Sequence, residues 1–272
     1  MGERTGTPGA SLRPYVRGVH AYDLTGASPG THVGMPSPSL TLVLPVDQRL
    51  VAGAPGEQPR AVTSCVGGLH DRPVLIHHDG TQRGVQLALS PRGARALLGV
   101  PPAELAGRLV TLDDLFGEAA TGRLLDDLHC ARDWPARRAV VESALRRRLG
   151  SGNAGEPPWQ VRRAWRLLVA SGGLLPVHRV AAEVGWTPRH LTERFTAEVG
   201  LGPKRLARVA RFGRSVALVR RGVPLAEVAA RTGYADQAHL TRDWARLAGA
   251  PPARWRREDG LANVQDGAPA PR

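Results

Sequence analysis

The sequence predicts an α+β fold in two parts: an N-terminal antiparallel β region completed by helices, and a C-terminal all-α region built from a duplicated helix pair around a linker helix. Three observations predict it. Up to about residue 90, apolar residues alternate or run together in short stretches such as "SLTLVLPV" (39–46) and "GVQLALS" (84–90), with turn residues between them. From 159 to 257 they recur at helical spacing instead. Finally, "VAAEVGWTPRHLTERF" (180–195) returns in outline as "VAARTGYADQAHLTRDW" (228–244).

Taken in order, residues 1–13 and 258–272 are rich in Gly, Pro and small polar residues without periodicity, and both are expected to be disordered ends. A first domain is expected over 14–149. Its strands flank "GGLHDRPVLIHHDGTQRG", which carries hairpin punctuation, so an antiparallel sheet or small barrel follows. Helices begin at "SPRGARALLG", with Ser90 as N-cap, Pro91 in the first turn and Gly99 at the end. "PPAELAG" starts another. Residues 119–149 hold two amphipathic segments broken at Trp134 and Pro135, the second ending on the basic "ALRRRLG" that suits a helix C-terminus. "GSGNAGEPP" (150–158) reads as a flexible linker. The second domain, 159–257, is expected to be helical throughout.

The chain of 272 residues is long enough for two cores and has no apolar run that could span a bilayer, so no membrane partner is expected. "MGERTGTPGASLRP" lacks the apolar core of a secretion signal, which points to the cytoplasm. Cys65 and Cys130 give no metal-ligand spacing and too few thiols for a disulfide framework; both read as buried small residues in a reducing compartment. The net charge of +13 is concentrated: residues 155–257 hold 19 Lys and Arg against 7 Asp and Glu, while 1–154 hold 17 against 14. All the basic residues except Lys204 are Arg, which suggests a coding bias. Bias explains the choice of Arg but not its confinement, and a basic domain is the electrostatic footprint of a polyanion partner, with nucleic acid favoured over an anionic membrane and double-stranded DNA the expected form.

In the duplicated device, Gly185 aligns with Gly233 at an offset of 48, while Leu191 with Leu240, Phe195 with Trp244 and Gly200 with Gly249 align at 49. One extra residue therefore sits in the second turn. A helix, a tight turn and a second helix make a helix-turn-helix, whose second helix enters the major groove. At 100° per residue Leu191, Phe195 and Val199 share one stripe, leaving Arg189, Thr192, Glu193 and Thr196 outward. In the second copy Leu240, Trp244 and Leu247 pack, leaving Ala238, His239, Arg242 and Arg246 outward with Gln237 and Thr241 at the margins. Arg, Gln and Thr can contact guanine, adenine and the thymine methyl. A single exposed Arg is ordinarily only a solvated residue; two outward faces repeated in register say more. Between the copies, "PKRLARVARFGRSVALVRRG" (203–222) predicts a helix of about 18 residues, roughly 27 Å, a spacer able to hold two reading helices in successive grooves. Arg162, Arg163, Lys204, Arg205, Arg208, Arg211 and Arg246 are the candidates for phosphate contacts.

These residues resemble the AraC/XylS family of bacterial transcription regulators, most specifically through "GYADQAHLTRDWARLAGAPPARWRR" (233–257): Gly-aromatic, polar turn, aromatic-anchored helix, Gly, Pro and a final aromatic-Arg. The resemblance implies base contacts at Arg189, Thr192 and Glu193 in the first copy and at Gln237, Ala238, His239, Thr241 and Arg242 in the second. Ala238 departs from the family's longer polar residue and offers only a methyl. Glu193 departs too; it accepts from cytosine or holds Arg189 through an i,i+4 pair. The preceding strand-then-helix order resembles the cupin-like sensory regions of actinobacterial members, which implies a small-molecule effector or a homodimer, and RNA polymerase as partner of an activator. Localisation is then cytoplasmic, at the nucleoid.

Other chemistry is weaker. His20, His32, His70, His77, His78 and His129 invite a metal site, but adjacent His77 and His78 on a strand point to opposite faces, and no His-x-His occurs. Neither "TSCVG" nor "LHCAR" supplies the cysteine cluster of the repair methyltransferases that share this module, and no phosphate-loop motif occurs. The expectation is a sequence-specific regulator, not an enzyme, without metal or cofactor. The alternatives are a non-specific architectural DNA-binding protein and an enzyme fused to a DNA-binding module.

Overall fold

The computed structural model describes residues 4–46, 48–149 and 155–258. Ten strands form the N-terminal half: β1 (Arg4–Gly6), β2 (Val16–Leu24), β3 (Gly30–Gly34), β4 (Leu40–Pro45), β5 (Leu50–Gly53), β6 (Arg60–Val62), β7 (Cys65–Gly67), β8 (Val74–His78), β9 (Gln82–Leu89) and β10 (Leu109–Thr111). They pair antiparallel in two sheets, ordered β1-β2-β9-β4-β7-β10 and β3-β8-β5-β6. The two sheets divide the alternating residues between two cores, because successive side chains of a strand leave by opposite faces. On β4, Leu42 and Leu44 join the core beneath the helices whereas Val43 joins the smaller core with Leu50, Cys65 and Ile76. The continuous aliphatic run of β9 follows from its central place, covered on both faces.

Ser90 caps the next helix as the sequence predicts, its Oγ accepting from the Gly93 amide at 3.1 Å. That helix, α1 (Pro91–Gly93), widens into a π turn over Ala94–Leu98 and stops at Gly99, whose φ of 80° suits a residue without a Cβ. The short helices α2 (Pro102–Leu105) and α3 (Leu112–Phe116) flank β10. The Thr111 and Asp114 pair forms a capping box on α3 that periodicity alone does not reveal in so short a segment. Then come α4 (Glu118–Cys130) and α5 (Trp134–Leu149). The break between them lies at 131–133, not at Trp134 and Pro135, which open α5: a proline is tolerated in a first turn, and Asp133 accepts from the Ala136 amide at 2.8 Å.

The remaining helices are α6 (Trp159–Ala170), α7 (Val177–Glu183), α8 (Pro188–Val199), α9 (Pro203–Arg220), α10 (Leu225–Thr232), α11 (Gln237–Ala248) and α12 (Pro252–Glu258). Among the described residues no helix is long and apolar enough to cross a membrane. Two expectations change here. Residues 4–13 are not a frayed end: β1 pairs with β2 from Arg4↔Ala21 to Gly6↔Val19, and the 3-10 turn Ala10–Leu12 seats Leu12 at 0% exposure in the main core. One buried leucine and an open sheet edge anchor a segment whose composition looks unstructured. Residues 1–3, the end of the expected tail (259–272) and most of the expected linker (150–154) lie outside the described residues. Cys65 is buried as expected, but Cys130, in the last turn of α4, is exposed.

The linker separates the two parts in the course of the chain but not in the core. A single apolar cluster runs from Leu12 through Leu97 and Leu145 to Trp165, Phe195 and Leu206, so α6, α7 and α8 are continuous with the β domain. The second helix pair has its own core, with Phe212, Val228, Trp244 and Trp255, which the β domain enters with Met35 alone among its buried residues.

Burial pushes the Cys65 thiol up to about 12. A thiol-reactive chromogenic reagent should therefore modify one cysteine per chain at neutral pH, Cys130, and reach Cys65 only on unfolding; two fast-reacting thiols would contradict the packing between the sheets.

Candidate nucleic-acid interface

The two turns are built on the same contacts. Gly185 and Gly233 have φ of 70° and 75°, the left-handed conformation that glycine adopts without strain. The aromatic that follows each, Trp186 or Tyr234, donates its amide back to Ala181 or Ala229 at 2.9 and 3.0 Å. Thr187 and Asp236 then cap the second helices, accepting from His190 and His239 amides at 3.2 and 2.6 Å. Those histidine rings stand edge-on to the turn aromatics, Trp186–His190 at 4.8 Å and Tyr234–His239 at 5.1 Å. Each second helix ends on a left-handed glycine, Gly200 or Gly249. The extra residue of the second copy is absorbed in the turn without changing any of these contacts.

The inward stripes pack as the periodicity predicts. Leu191, Phe195 and Val199 are wholly buried, as are Leu240, Trp244 and Leu247. Trp244 is fixed from three sides: its Nε1 donates to Ser215 Oγ at 2.8 Å, and its ring meets Phe212 and Trp255 edge-on at 5.1 Å each. Because Phe212 and Ser215 belong to α9, the second reading helix is locked to the linker helix. The first is locked to the same helix through Leu206, in the core it shares with Phe195.

Of the expected base-reading residues, Arg189, Thr192, Glu193, Gln237, Ala238 and Arg242 are exposed on the outer faces of α8 and α11. Arg189 Nε donates to Glu193 Oε1 at 3.0 Å, the i,i+4 pair that the spacing allows. Thr192 and Thr241, equivalent in the repeat, both turn their hydroxyls back to the carbonyl four residues earlier, Pro188 and Gln237, at 2.8 Å. With the proton spent inside the helix, each threonine offers its methyl and an acceptor lone pair. His239 is half-buried; its Nδ1 lies 3.4 Å from the Ala235 amide, so the ring is partly committed to the turn.

The expected phosphate residues divide. Lys204 is exposed. Arg162 pairs with Glu156 at 3.0 Å and Arg163 with Glu183 at 3.5 Å, both in solvent. Arg208 and Arg211 reach Asp243 at 3.8 and 3.6 Å, and Arg211 also lies over the Tyr234 ring and donates to the Gly233 carbonyl at 3.3 Å. Arg211 thus braces α9 against the second turn. Arg205 makes a bidentate pair with Asp71, 2.9 and 2.6 Å, and Arg246 approaches the same carboxylate at 3.9 Å. Asp71 is buried, and Arg205 holds its carboxyl below the usual carboxylate range chiefly by these hydrogen bonds. Sequence reasoning misses Asp71, since nothing local marks an acid whose partners lie 134 and 175 positions away. It misses equally the Arg95–Glu198 pair, 2.6 and 2.7 Å, which ties the π turn to α8.

A second feature lies between the two sheets, a cavity of about 360 Å³. Its walls are mainly apolar, from Val43, Leu50 and Ile76, with His20 and Gln86 inside and Arg60 and Arg108 exposed at the rim. This size and lining fall in the range of small-molecule sites. Among the described residues no three His, Cys, Asp or Glu are placed to hold a metal ion.

Residues 180–258 match the family described as a helix-turn-helix domain. No curated relative matches the chain at a significant level. Among solved structures, ToxT from Vibrio cholerae gives a TM-score of 0.54 at 8% identity, covering 88% of this chain and 98% of ToxT. Unsaturated fatty acid-bound ToxT gives 0.50 at 11%, covering 88% and 94%. The C-terminal domain of AraT, a response regulator from Geobacillus stearothermophilus, is 23% identical over 42% of this chain and 96% of its own, with a TM-score of 0.37. The ToxT likeness shows the fold over both halves, an N-terminal β domain followed by paired helix-turn-helix units.

The cap of α11 carries a direct consequence. Replacing Asp236 with Ala removes the acceptor of the His239 amide and should cost about 1 kcal/mol, read as a lowered urea midpoint with an unchanged slope; an unchanged midpoint would contradict the cap.

Proposed function

We propose that this chain is a DNA-binding transcription regulator of the AraC/XylS type that reads two unlike half-sites with α8 and α11, a reading supported by the helix-turn-helix match over residues 180–258. The observation that carries the reading is the twofold recurrence of turn, cap and outward face on either end of one continuous helix, α9, of 18 residues. At 1.5 Å per residue α9 is roughly 27 Å long, comparable with the roughly 34 Å of one DNA turn. The tandem copies differ in sequence, so the site is asymmetric for each chain. Arg189, Thr192, Gln237 and Arg242 read base edges, with Glu193 steering Arg189 and the Thr192 and Thr241 methyls facing thymine. Ala238 adds a methyl contact, and His239 a marginal one. Lys204, Arg162, Arg163, Arg205, Arg208 and Arg246 set register on phosphates; Arg211 serves mainly inside the domain.

The cavity between the sheets is the effector site in this reading, and a small, largely apolar molecule with a polar or anionic end toward Arg60 and Arg108 fits its lining. The ToxT structure with unsaturated fatty acid bound supports ligands of this class for the fold. Nothing in the reading requires catalysis. Dimerisation through the β domain and contact with RNA polymerase belong to the same proposal, as does action at the nucleoid. The architectural alternative predicts little discrimination between sequences, whereas a regulator shows a large ratio of specific to non-specific affinity.

Selection of bound duplexes from a random library by the full-length chain tests this, with enrichment of two unlike half-sites expected and no enriched sequence as the contrary result. On the selected duplex, Arg242→Ala should lose about 1–3 kcal/mol and relax preference at one position. Lys204→Ala should weaken all sequences alike and lower the salt slope by about one. If Arg242→Ala left both affinity and base preference intact, the outward face would be misassigned.

A further inference from the structure

The Asp71 side chain belongs to the β domain, on the turn between β7 and β8, yet its carboxylate is spent on the DNA-binding half. Three guanidiniums converge on it: Arg205 in bidentate contact, Arg246 at 3.9 Å, and Arg208 near enough to help hold its charge. Arg205 opens α9 directly after the first reading helix, and Arg246 lies in the last turn of the second. Their side chains are 52% and 59% exposed, so they need no anion from the protein to remain solvated, whereas Asp71, at 4%, could not stay charged in that position without them. Two anionic oxygens gripped side by side by an arginine fork is how a phosphate is held as well. The turn that carries Asp71 faces the cavity through Gly68, His70 and Val74 and is anchored in the main core by Leu69, at 0% exposure. It is held further at points: a Cβ on Gly68 would collide with the Leu105 carbonyl, and Pro73 lies against Gly249.

We infer that Asp71 is an internal stand-in for a DNA phosphate: it occupies Arg205 and Arg246 in the unbound chain and must release them before both helix-turn-helix units can close on the duplex. The inference rests on the DNA-reading function proposed above and adds to it a self-inhibiting contact made by the sensory half. Gly68 and His70, in the same turn, line the cavity, which places the contact where an effector can loosen or tighten it.

The test is the affinity of the full-length chain for its selected duplex. Asp71→Asn keeps the size of the side chain and removes the charge; it should tighten binding roughly tenfold, the scale of one charge-assisted contact, with base preference unchanged. In an Arg205→Ala, Arg246→Ala background most of that gain should disappear, since the two arginines that the carboxylate occupies are gone and Arg208 alone remains near it. Unchanged or weaker binding by Asp71→Asn, in a chain that melts as the wild type does, would overturn the inference, as would a gain that persists undiminished in the double-variant background. Hydrogen exchange on the wild-type chain gives a check independent of any variant's folding. Amides of residues 68–72 should exchange faster once duplex is added, and unchanged or slower exchange would overturn the release. If the wild type and all variants retained no duplex, the DNA-reading function would fall together with the inference; failure of the inference alone leaves wild-type binding intact.

Discussion

Everything in the C-terminal half depends on one constraint: a single uninterrupted helix, α9, contributes side chains to the cores of both helix-turn-helix units. Leu206 near its start packs with Phe195 of the first reading helix, and Phe212, Val216 and Val219 further along pack with Trp244 of the second. Sharp joints in a helix arise at prolines, Gly/Ser pairs or bulges; the proline of α9 lies in its first turn, where it is tolerated, and the central Gly213 and Ser215 sit in unbroken helix, with Ser215 held by the Phe212 carbonyl and Trp244. The distance and rotation between α8 and α11 are therefore properties of α9 and its two cores. The hydrogen bond from Trp244 to Ser215 and the edge-on contacts to Phe212 and Trp255 remove the remaining freedom to roll.

The β domain holds this assembly unevenly. The first unit is fused to it by a continuous apolar core, by the Arg95–Glu198 pair, by Arg17 stacked on Trp165, and by α2 packed against Gly200. The second unit meets it through Met35 and Val33, the Asp71 contact and Pro73 against Gly249. Apolar burial in the first interface is extensive and indifferent to ligands, whereas the second is a few point contacts at the edge of a cavity. Such point contacts are what a bound molecule of a few hundred daltons can shift, because a small differential affinity suffices to move a weakly held element.

Much of this is legible in the sequence where structure is decided locally. The repeat offset, the glycines at 185, 200, 233 and 249, the caps at Thr187 and Asp236 and the buried stripes all follow from short-range rules. The N-terminal domain is legible only in class: "SLTLVLPV" and "GVQLALS" announce strands, but β4 finds β9 across 39 to 49 residues, and the division into two sheets depends on such distant pairings. Residues 4–13 mislead because composition suggests disorder while one leucine and an open sheet edge decide otherwise. Cys130 misleads because a buried cysteine is the commoner case and nothing nearby signals the outer face of α4. Asp71 is invisible for a different reason: its value lies wholly in charges supplied from a domain that sequence analysis treats apart.

Helix α9 fixes the spacing of the two reading helices, and the most direct measurement of this varies the spacing in the DNA. In duplexes carrying the two selected half-sites, affinity should collapse toward the non-specific level when about 5 base pairs are inserted between them, because half a helical turn carries the second site to the opposite face of the duplex. Affinity indifferent to the insertion would mean that the two units move independently, and that α9 does not act as a rigid spacer.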